Sequence, residues 1–530
     1  MPKHHFNMVE GLLYRTPLIL EMKSPKDMSW DLGFHHANRG KPPEPNGSTV
    51  SDAEAYMAGY KHSRLKSGDE EGAPGGRSDR PEQDIEPSLT LPVHDVPESA
   101  KTLASVIAKA GGRALVIGGA VRDKILGKSP KDWDVEVYGL DTENLIQVLE
   151  TLGQVDAVGK QFGVLKIVIG DEHFDVSVPR REVKTGPGHK DYEVTPDPSM
   201  TIKEAARRRD FTMNTVAMDP HTGDVFDPYG GVDDLKAKIL RATDPGVFVE
   251  DALRILRGAQ FVARFGMTVD PQTMQLMQQA GPELPALARE RVGEEWSKLL
   301  LKGVKPSTGM DVLKETGALR ALHPALAAQS EGEEWEGLKG AVDRSIAITA
   351  DVPELKVPVR FATVFHNTDP RGMAKMLYAE LRVPKDMATR IERLVGEQAN
   401  VGSEMSDSDI RHLSHRLGPK SSDDPTNASI EAFARLIGSV RGEEEGSQLL
   451  QRAQSLGVSN GRPPEILMGR HMGSLGIKPG PLLGKILKQV YTMQLNGEIT
   501  DFAGAMTAAR RIAGIPAEDP GLQRESLNLV

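Results

Sequence analysis

The chain has no cysteine, which excludes disulfides, thiolate catalysis and thiolate-ligated zinc. Aromatic residues are few, 5% of 530 residues, and no apolar run is long enough to span a bilayer. Positive charge is not in excess. The formal net charge is −10, so bulk charge gives no reason to expect a nucleic-acid partner. The opening Met1-Pro2-Lys3-His4-His5-Phe6 lacks a basic stretch followed by an apolar one. These absences predict a cytoplasmic protein with no membrane and no disulfide partner. What is present is ordinary for a chain that buries real cores: 38% hydrophobic and 26% charged residues. The length suggests roughly three to four domains.

Residues 1–95 are rich in Gly, Pro, Ser and charge, as in Arg39-Gly40-Lys41-Pro42-Pro43-Glu44-Pro45. They are expected to form a polar, poorly ordered extension. His4-His5 and His35-His36 lack a carboxylate framework for a metal and read as surface histidines. From 96 to 240 strands and helices alternate. The predicted elements are a helix from Glu98 to Ala110, a strand at Ala114–Ile117, a glycine turn and short helix, and a strand at Asp132–Val137. A helix at Thr142–Leu152 and strands at Gly163–Ile169 and Phe174–Val178 follow. Beyond about 250 helical spacing dominates, with Ala252, Ile255, Leu256, Ala259, Val262 and Ala263 on one stripe. The expected class is α+β: a small mixed α/β head followed by a long all-α region.

Four segments carry chemistry. In the first, Ile117-Gly118-Gly119-Ala120-Val121-Arg122-Asp123 leads to Asp132-Trp133-Asp134-Val135-Glu136. A glycine pair opening a helix offers backbone N–H groups to anions. Residues i and i+2 of a strand share a face, so Asp132 and Asp134 project together, Glu136 behind them, while Trp133, Val135 and Val137 face a core. Two hard oxygen ligands suit Mg²⁺ held beside substrate phosphates. An ordinary βαβ unit with solvated acids is the bland alternative. The second segment is Arg208-Arg209-Asp210-Phe211-Thr212-Met213-Asn214, suited to a triphosphate and a sugar hydroxyl, or to a structural salt-bridge cluster. It ends a basic run from Arg180 to Arg209 that reads equally as a phosphate surface or a solvated loop. The third, Asp227-Pro228-Tyr229-Gly230-Gly231-Val232-Asp233-Asp234, reads as a tight turn into a capped helix with a structural role. The fourth is Glu250-Asp251-Ala252-Leu253-Arg254-Ile255-Leu256-Arg257. On a helix Asp251, Arg254 and Arg257 fall together, and a carboxylate beside a guanidinium can match a base edge. The same pair is also a common intrahelical ion pair.

In this order the four segments resemble the class II tRNA nucleotidyltransferases and bacterial poly(A) polymerases, a branch of the polymerase-β-like nucleotidyltransferases. The resemblance covers residues 96–300 and implies a head at 96–240 and a helical neck at 241–305 with the base-recognition motif. It further implies a body at 306–400 and an RNA-binding tail at 401–530. It assigns Asp132 and Asp134 to Mg²⁺, and Gly118, Gly119 and Arg122 to nucleotide phosphates. Arg209 would bind the incoming nucleotide, with Asp210 and Asn214 near its ribose. Asp251 and Arg254, supported by Arg257, would read the base of CTP or ATP. Relatives often have an arginine where this chain has Gln260. Asp175, in a stretch of alternating polarity, is the candidate third carboxylate, with Glu136 its competitor.

The implied reaction is attack of an RNA 3′-hydroxyl on the α-phosphate of CTP or ATP. The stretch from Pro464 to Ile499, with its Pro479-Gly480-Pro481 turn, is similar to the tail of bacterial CCA-adding enzymes. It favours addition of C, C and A to tRNA, bound through its 3′ end and acceptor arm, over A-only or poly(A) addition. A non-catalytic RNA-binding protein is the remaining alternative. Val359–Asn367 resembles the segment where some relatives carry an HD phosphohydrolase motif. Asn367 stands at the Asp position, and 341–345 lacks the expected histidine, so no such hydrolytic activity is expected.

Overall fold

The computed structural model describes residues 85–130, 132–156, 164–184, 192–402, 404–418 and 428–516. The chain divides into units 1–83 and 84–530, and all that follows concerns the second. His4-His5, His35-His36 and most of the 1–95 extension lie outside the described residues.

Strands β1 (Leu89–Thr90), β2 (Arg113–Ile117), β3 (Trp133–Tyr138), β4 (Val155–Asp156), β5 (Val164–Ile169) and β6 (Glu172–Ser177) come first. The hairpin β7 (Arg180–Lys184) and β8 (Tyr192–Pro196) follows, then β9 (Ala217–Met218) and β10 (Asp224–Phe226). All but the hairpin form one mixed sheet in the order β1-β10-β9-β2-β3-β6-β5-β4. Within this sheet, among the described residues, only β3 and β6 run parallel, with Asp134 level with Asp175.

Alternation along β3 separates the two faces of the sheet. Trp133, Val135 and Val137 join Phe174 and Val176 in a core. Over it pack α1 (Glu98–Lys109), through Leu103 and Ile107, and α3 (Thr142–Glu150), through Leu145 and Leu149. Asp141 starts α3 by accepting from Asn144 N–H at 2.8 Å. The opposite face carries Leu115, Tyr138, Ala217 and Phe226 beneath α4 (Ile202–Arg207). Between β2 and β3 lies α2 (Gly119–Ile125). Gly118 precedes it with φ of 62°, a conformation that a side chain resists.

After α5 (Gly231–Ala237) the chain is almost wholly helical. α6 (Leu253–Phe265) and α7 (Arg289–Lys302) are its first long helices. Both bury one face in a continuous core that runs from Phe211 to Val458. A smaller cluster holds the last helices, Pro481–Asn496 and Phe502–Ala513. The architecture is therefore α+β, as expected from the sequence.

At two of the expected boundaries the packing is continuous. Residues 85–95 are not extension throughout, since Leu89 and Thr90 pair with Val225 and Asp224 and close the sheet edge. Apolar packing continues past residue 400. Helix Ile430–Val440 packs Phe433 and Leu436 into the same core as Phe361, so apolar continuity carries the body on to Val458.

Candidate active site

Asp132 ends the loop that enters β3, and Asp134 is the second residue of that strand. Asp175 stands beside Asp134 on β6. Burial and the negative charges of Asp175 and Asp132 push the Asp134 carboxyl up to about 6, against the pull of Arg209 and Lys166. Asp175 itself is half exposed, with Lys166 3.4 Å away. This is a concentration of hard oxygen donors with too little positive charge to balance it, the setting that a divalent cation completes. Among the described residues no group of three or more His, Cys, Asp or Glu is placed to hold a metal ion by itself. The donor set fits an open site in which substrate oxygens supply the remaining positions.

Glu136, two residues along β3, has the opposite character. It is fully buried. Arg209 donates to its Oε2 at 2.8 Å, Arg208 reaches Oε1 at 3.3 Å, and the Tyr138 hydroxyl donates to Oε2 at 2.8 Å. Burial pushes this carboxyl up, but the two arginines and the tyrosine outweigh it and hold it below the usual range. Glu136 is thus a structural anchor for the arginine pair and not a third acid on the open side. Asp175 takes that place by register.

The arginine pair is joined to the helices. Arg209 also donates to the Asn214 carbonyl at 3.1 Å. Asn214 Nδ2 donates to Asp210 at 2.9 Å, and its Oδ1 accepts from Arg122 at 2.8 Å. Asp210 accepts from Arg257 on α6 at 2.6 Å. Burial raises the Asp210 carboxyl, while Arg257, Asn214 and the Phe211 N–H more than offset it. Asp210 and Asn214, expected beside a ribose, are buried and bonded to each other. Their visible work is to tie β3 to α6.

Asp251, Arg254 and Arg257 all sit half-buried at one surface, as their spacing predicts. The detail differs. The helix begins only at Leu253, and Asp251 lies in the turn before it, where its Oδ1 accepts from Leu253 N–H at 3.0 Å. Its ion-pair partner is Arg291 of α7 at 2.8 Å, not Arg254. Arg254 donates to the carbonyls of Val247 and Arg208. Gln260 is buried, with its Oε1 unpartnered among the described residues.

The Asp227–Asp234 segment braces this assembly. Asp227 accepts from Gly231 and Val232 N–H at 2.7 and 2.9 Å. A Cβ on Gly231 would fall 2.1 Å from the Thr212 carbonyl oxygen, so only glycine lets this helix rest on the 212–214 turn. Thr212 then donates to Asp234 at 2.7 Å. The basic run is largely compensated where it is described: Arg181 pairs with Asp197, Arg207 with Asp244, and Arg208 and Arg209 with Glu136. Lys190 lies outside the described residues. In the body, His366 Nδ1 faces the Thr363 carbonyl and Asn367 O accepts from Gln329.

Sequence reasoning missed Tyr138 and Arg291. Tyr138 carried a weak signal, being the next same-face residue after Glu136. Arg291 carried none, since α7 lies 40 residues from Asp251.

Residues 114–241 match a family described as "Poly A polymerase head domain", and 266–330 one described as "Probable RNA and SrmB- binding site of polymerase A". A "Multifunctional CCA protein" of Methylobacillus flagellatus is 34% identical over 330 residues, 57% of this chain and 78% of that protein. One of Xanthomonas campestris pv. campestris (strain B100) is 41% identical over 218 residues, 40% of this chain. The chain spans about half the length of that relative, 51%. Among solved structures, the Bacillus stearothermophilus CCA-adding enzyme in complex with CTP aligns with a TM-score of 0.61 at 21% identity, covering 79% of this chain and 98% of that one. The Thermotoga maritima CCA-adding enzyme complexed with tRNA gives 0.55 at 19%, covering 78% and 94%. These likenesses are of fold.

Proposed function

The chain belongs to the family of the multifunctional CCA proteins, and from that premise we propose that it adds C, C and A to the 3′ end of tRNA from CTP and ATP, releasing pyrophosphate. The observation that carries the reading is the carboxylate trio Asp132, Asp134 and Asp175, undercompensated at the end of β3 and β6 with Arg209 nearby. The family implies a divalent cation. Mg²⁺ is the cation proposed here, held by Asp132 and Asp134, where it supplies charge for the attacking and leaving oxygens.

The protein's own part is positioning and charge. The RNA 3′-oxygen forms a bond to the α-phosphorus, the bond to the bridging oxygen of pyrophosphate breaks, and the hydroxyl proton passes to the carboxylate cluster. Asp175 adds the third negative group. Arg209, held in place by Glu136, faces the triphosphate beside Gly118, Gly119 and Arg122. Asp251 and Arg254 offer an acceptor and a donor to the base, with Arg257 fixed behind them by Asp210. Base binding then requires Asp251 to share its Oδ2 with, or release it from, Arg291. Residues 266–330 and the tail meet the acceptor arm. The reading places the protein in the cytoplasm.

The head match to a poly(A) polymerase family favours one second reading, addition of A alone. Both are tested by sequencing the product formed on tRNA lacking its 3′ end with CTP and ATP together. The proposal expects a CCA end. Incorporation of ATP without CTP overturns it.

A further inference from the structure

Phe265, the last residue of α6, has three cations over its ring. The guanidinium carbons of Arg122 and Arg264 lie 4.7 and 4.8 Å from its ring centre, and the Lys128 ammonium 5.1 Å. The ring is itself stacked on Phe261 at 5.9 Å. These cations come from three places in the chain: α2, the loop between α2 and β3, and the end of α6. One carboxylate serves the group. Asp123 accepts from Arg122 at 2.7 Å and has Arg264 at 3.8 Å.

A fourth cation joins from α7. Val304 and Lys305 both donate their N–H to the Ala263 carbonyl, at 3.0 and 3.1 Å, which pins the end of α7 beside Arg264. Lys302 is the last residue of that helix. Partial burial and the nearby Arg264 and Lys298 press its ammonium below the usual range, while Asp132 acts in the opposite sense. Lys302 is therefore within electrostatic reach of Asp132, as Arg209 is of Asp134. Among the described residues neither Lys128 nor Lys302 has an ion pair. Arg122 has committed its donors to Asp123 and Asn214, but Lys128, Arg264 and Lys302 have donors to spare. Like charges gathered with so little compensation favour a polyanion.

We propose that Lys128, Arg264 and Lys302 form a phosphate-binding surface for the backbone of the RNA strand whose 3′ end reaches Asp132. The incoming triphosphate is assigned to Arg209, and Arg122 links the two groups, bonded to Asn214 on the Arg209 side and set against Phe265 on the other. This rests on the nucleotidyl-transfer reading above for the identity of the strand.

The test uses the full chain, tRNA lacking its CCA end, and the same RNA with methylphosphonates, which carry no charge, at its last phosphodiesters. Binding is measured without nucleotide or divalent metal. Lys302→Ala and Arg264→Ala should each weaken binding of the natural RNA roughly tenfold, and flatten the slope of log affinity against log salt by about 0.7 per lost contact. Lys302→Arg should restore it. The methylphosphonate RNA should bind wild type and variants alike. The KM for CTP and ATP should stay unchanged. A raised nucleotide KM with unchanged RNA affinity overturns the proposal, as does an equal loss with both RNAs, or no loss. A wild-type protein that passes this binding test yet adds no nucleotide overturns the proposed reaction and leaves the surface standing.

Discussion

Two stretches of one strand treat negative charge in opposite ways. At the open end of β3, desolvation together with the charges of Asp175 and Asp132 pushes the Asp134 carboxyl up to about 6. Two residues on, Glu136 is fully buried yet held below the usual range, because Arg208, Arg209 and Tyr138 surround it. The acid in the interior is matched by positive charge, and the one at the strand's open end is not. Local structure is stabilised where charge is matched. Chemistry is available where it is not.

The sharpest way to break the contrast is at Asp134. Asp134→Asn should lower nucleotide incorporation by several kcal/mol in the barrier, about a thousandfold or more. It should leave the metal-free fold as stable as before, or more so, at neutral pH, because a repelled charge is gone. Steady-state rates and thermal melts on one preparation decide this, and a strong loss of stability would sink the comparison. Next is Glu136→Gln, which leaves two arginines facing a neutral amide. Removing one partner of a buried ion pair costs about 3–5 kcal/mol, and denaturant unfolding should show a loss near the lower figure since the amide still accepts a hydrogen bond. An unchanged midpoint would mean that the pair contributes nothing.

The smallest effect is in pH. Asp134 is raised in the folded, metal-free protein relative to the unfolded chain, whose value is 3.8. Its folded form therefore holds a proton more tightly, and its ionisation destabilises the fold as pH rises from about 4 to about 6. The penalty is absent below that window and complete above it. Asp134→Asn should accordingly raise the metal-free Tm at pH 7.5 and not at pH 4. The Tm gain from Mg²⁺ should shrink as pH falls through about 6, where protons compete for the same oxygens. A gain constant from pH 5 to 8 would remove Asp134 from the metal site.

Much of this was legible in the chain. The α+β division and the facing of Trp133, Val135 and Val137 follow from spacing alone, because a strand alternates and a helix does not. The motifs carried the family. What could not be read was partnership between distant segments. Nothing in Arg208-Arg209-Asp210 shows that the arginines turn to Glu136 while the aspartate turns to Arg257. Asp251 and Arg254 look like an intrahelical pair, but the helix starts two residues later than spacing suggests and Asp251 reaches α7. The edge strand at Leu89–Thr90 did carry a signal, the alternation Leu89-Thr90-Leu91-Pro92-Val93 whose apolar members pack against the sheet core, but it is short and lies at the end of a polar stretch.

The Phe265 ring gathers cations without cancelling them. A carboxylate in its place would draw Arg122, Lys128 and Arg264 together and extinguish the field they make. A quadrupole attracts each cation and leaves the sum of their charge intact. That field reaches about 8 Å into solution at physiological salt before ions screen it. An acidic protein can thus present a short-range positive spot beside its carboxylates, legible to an approaching anion and lost in any count of net charge.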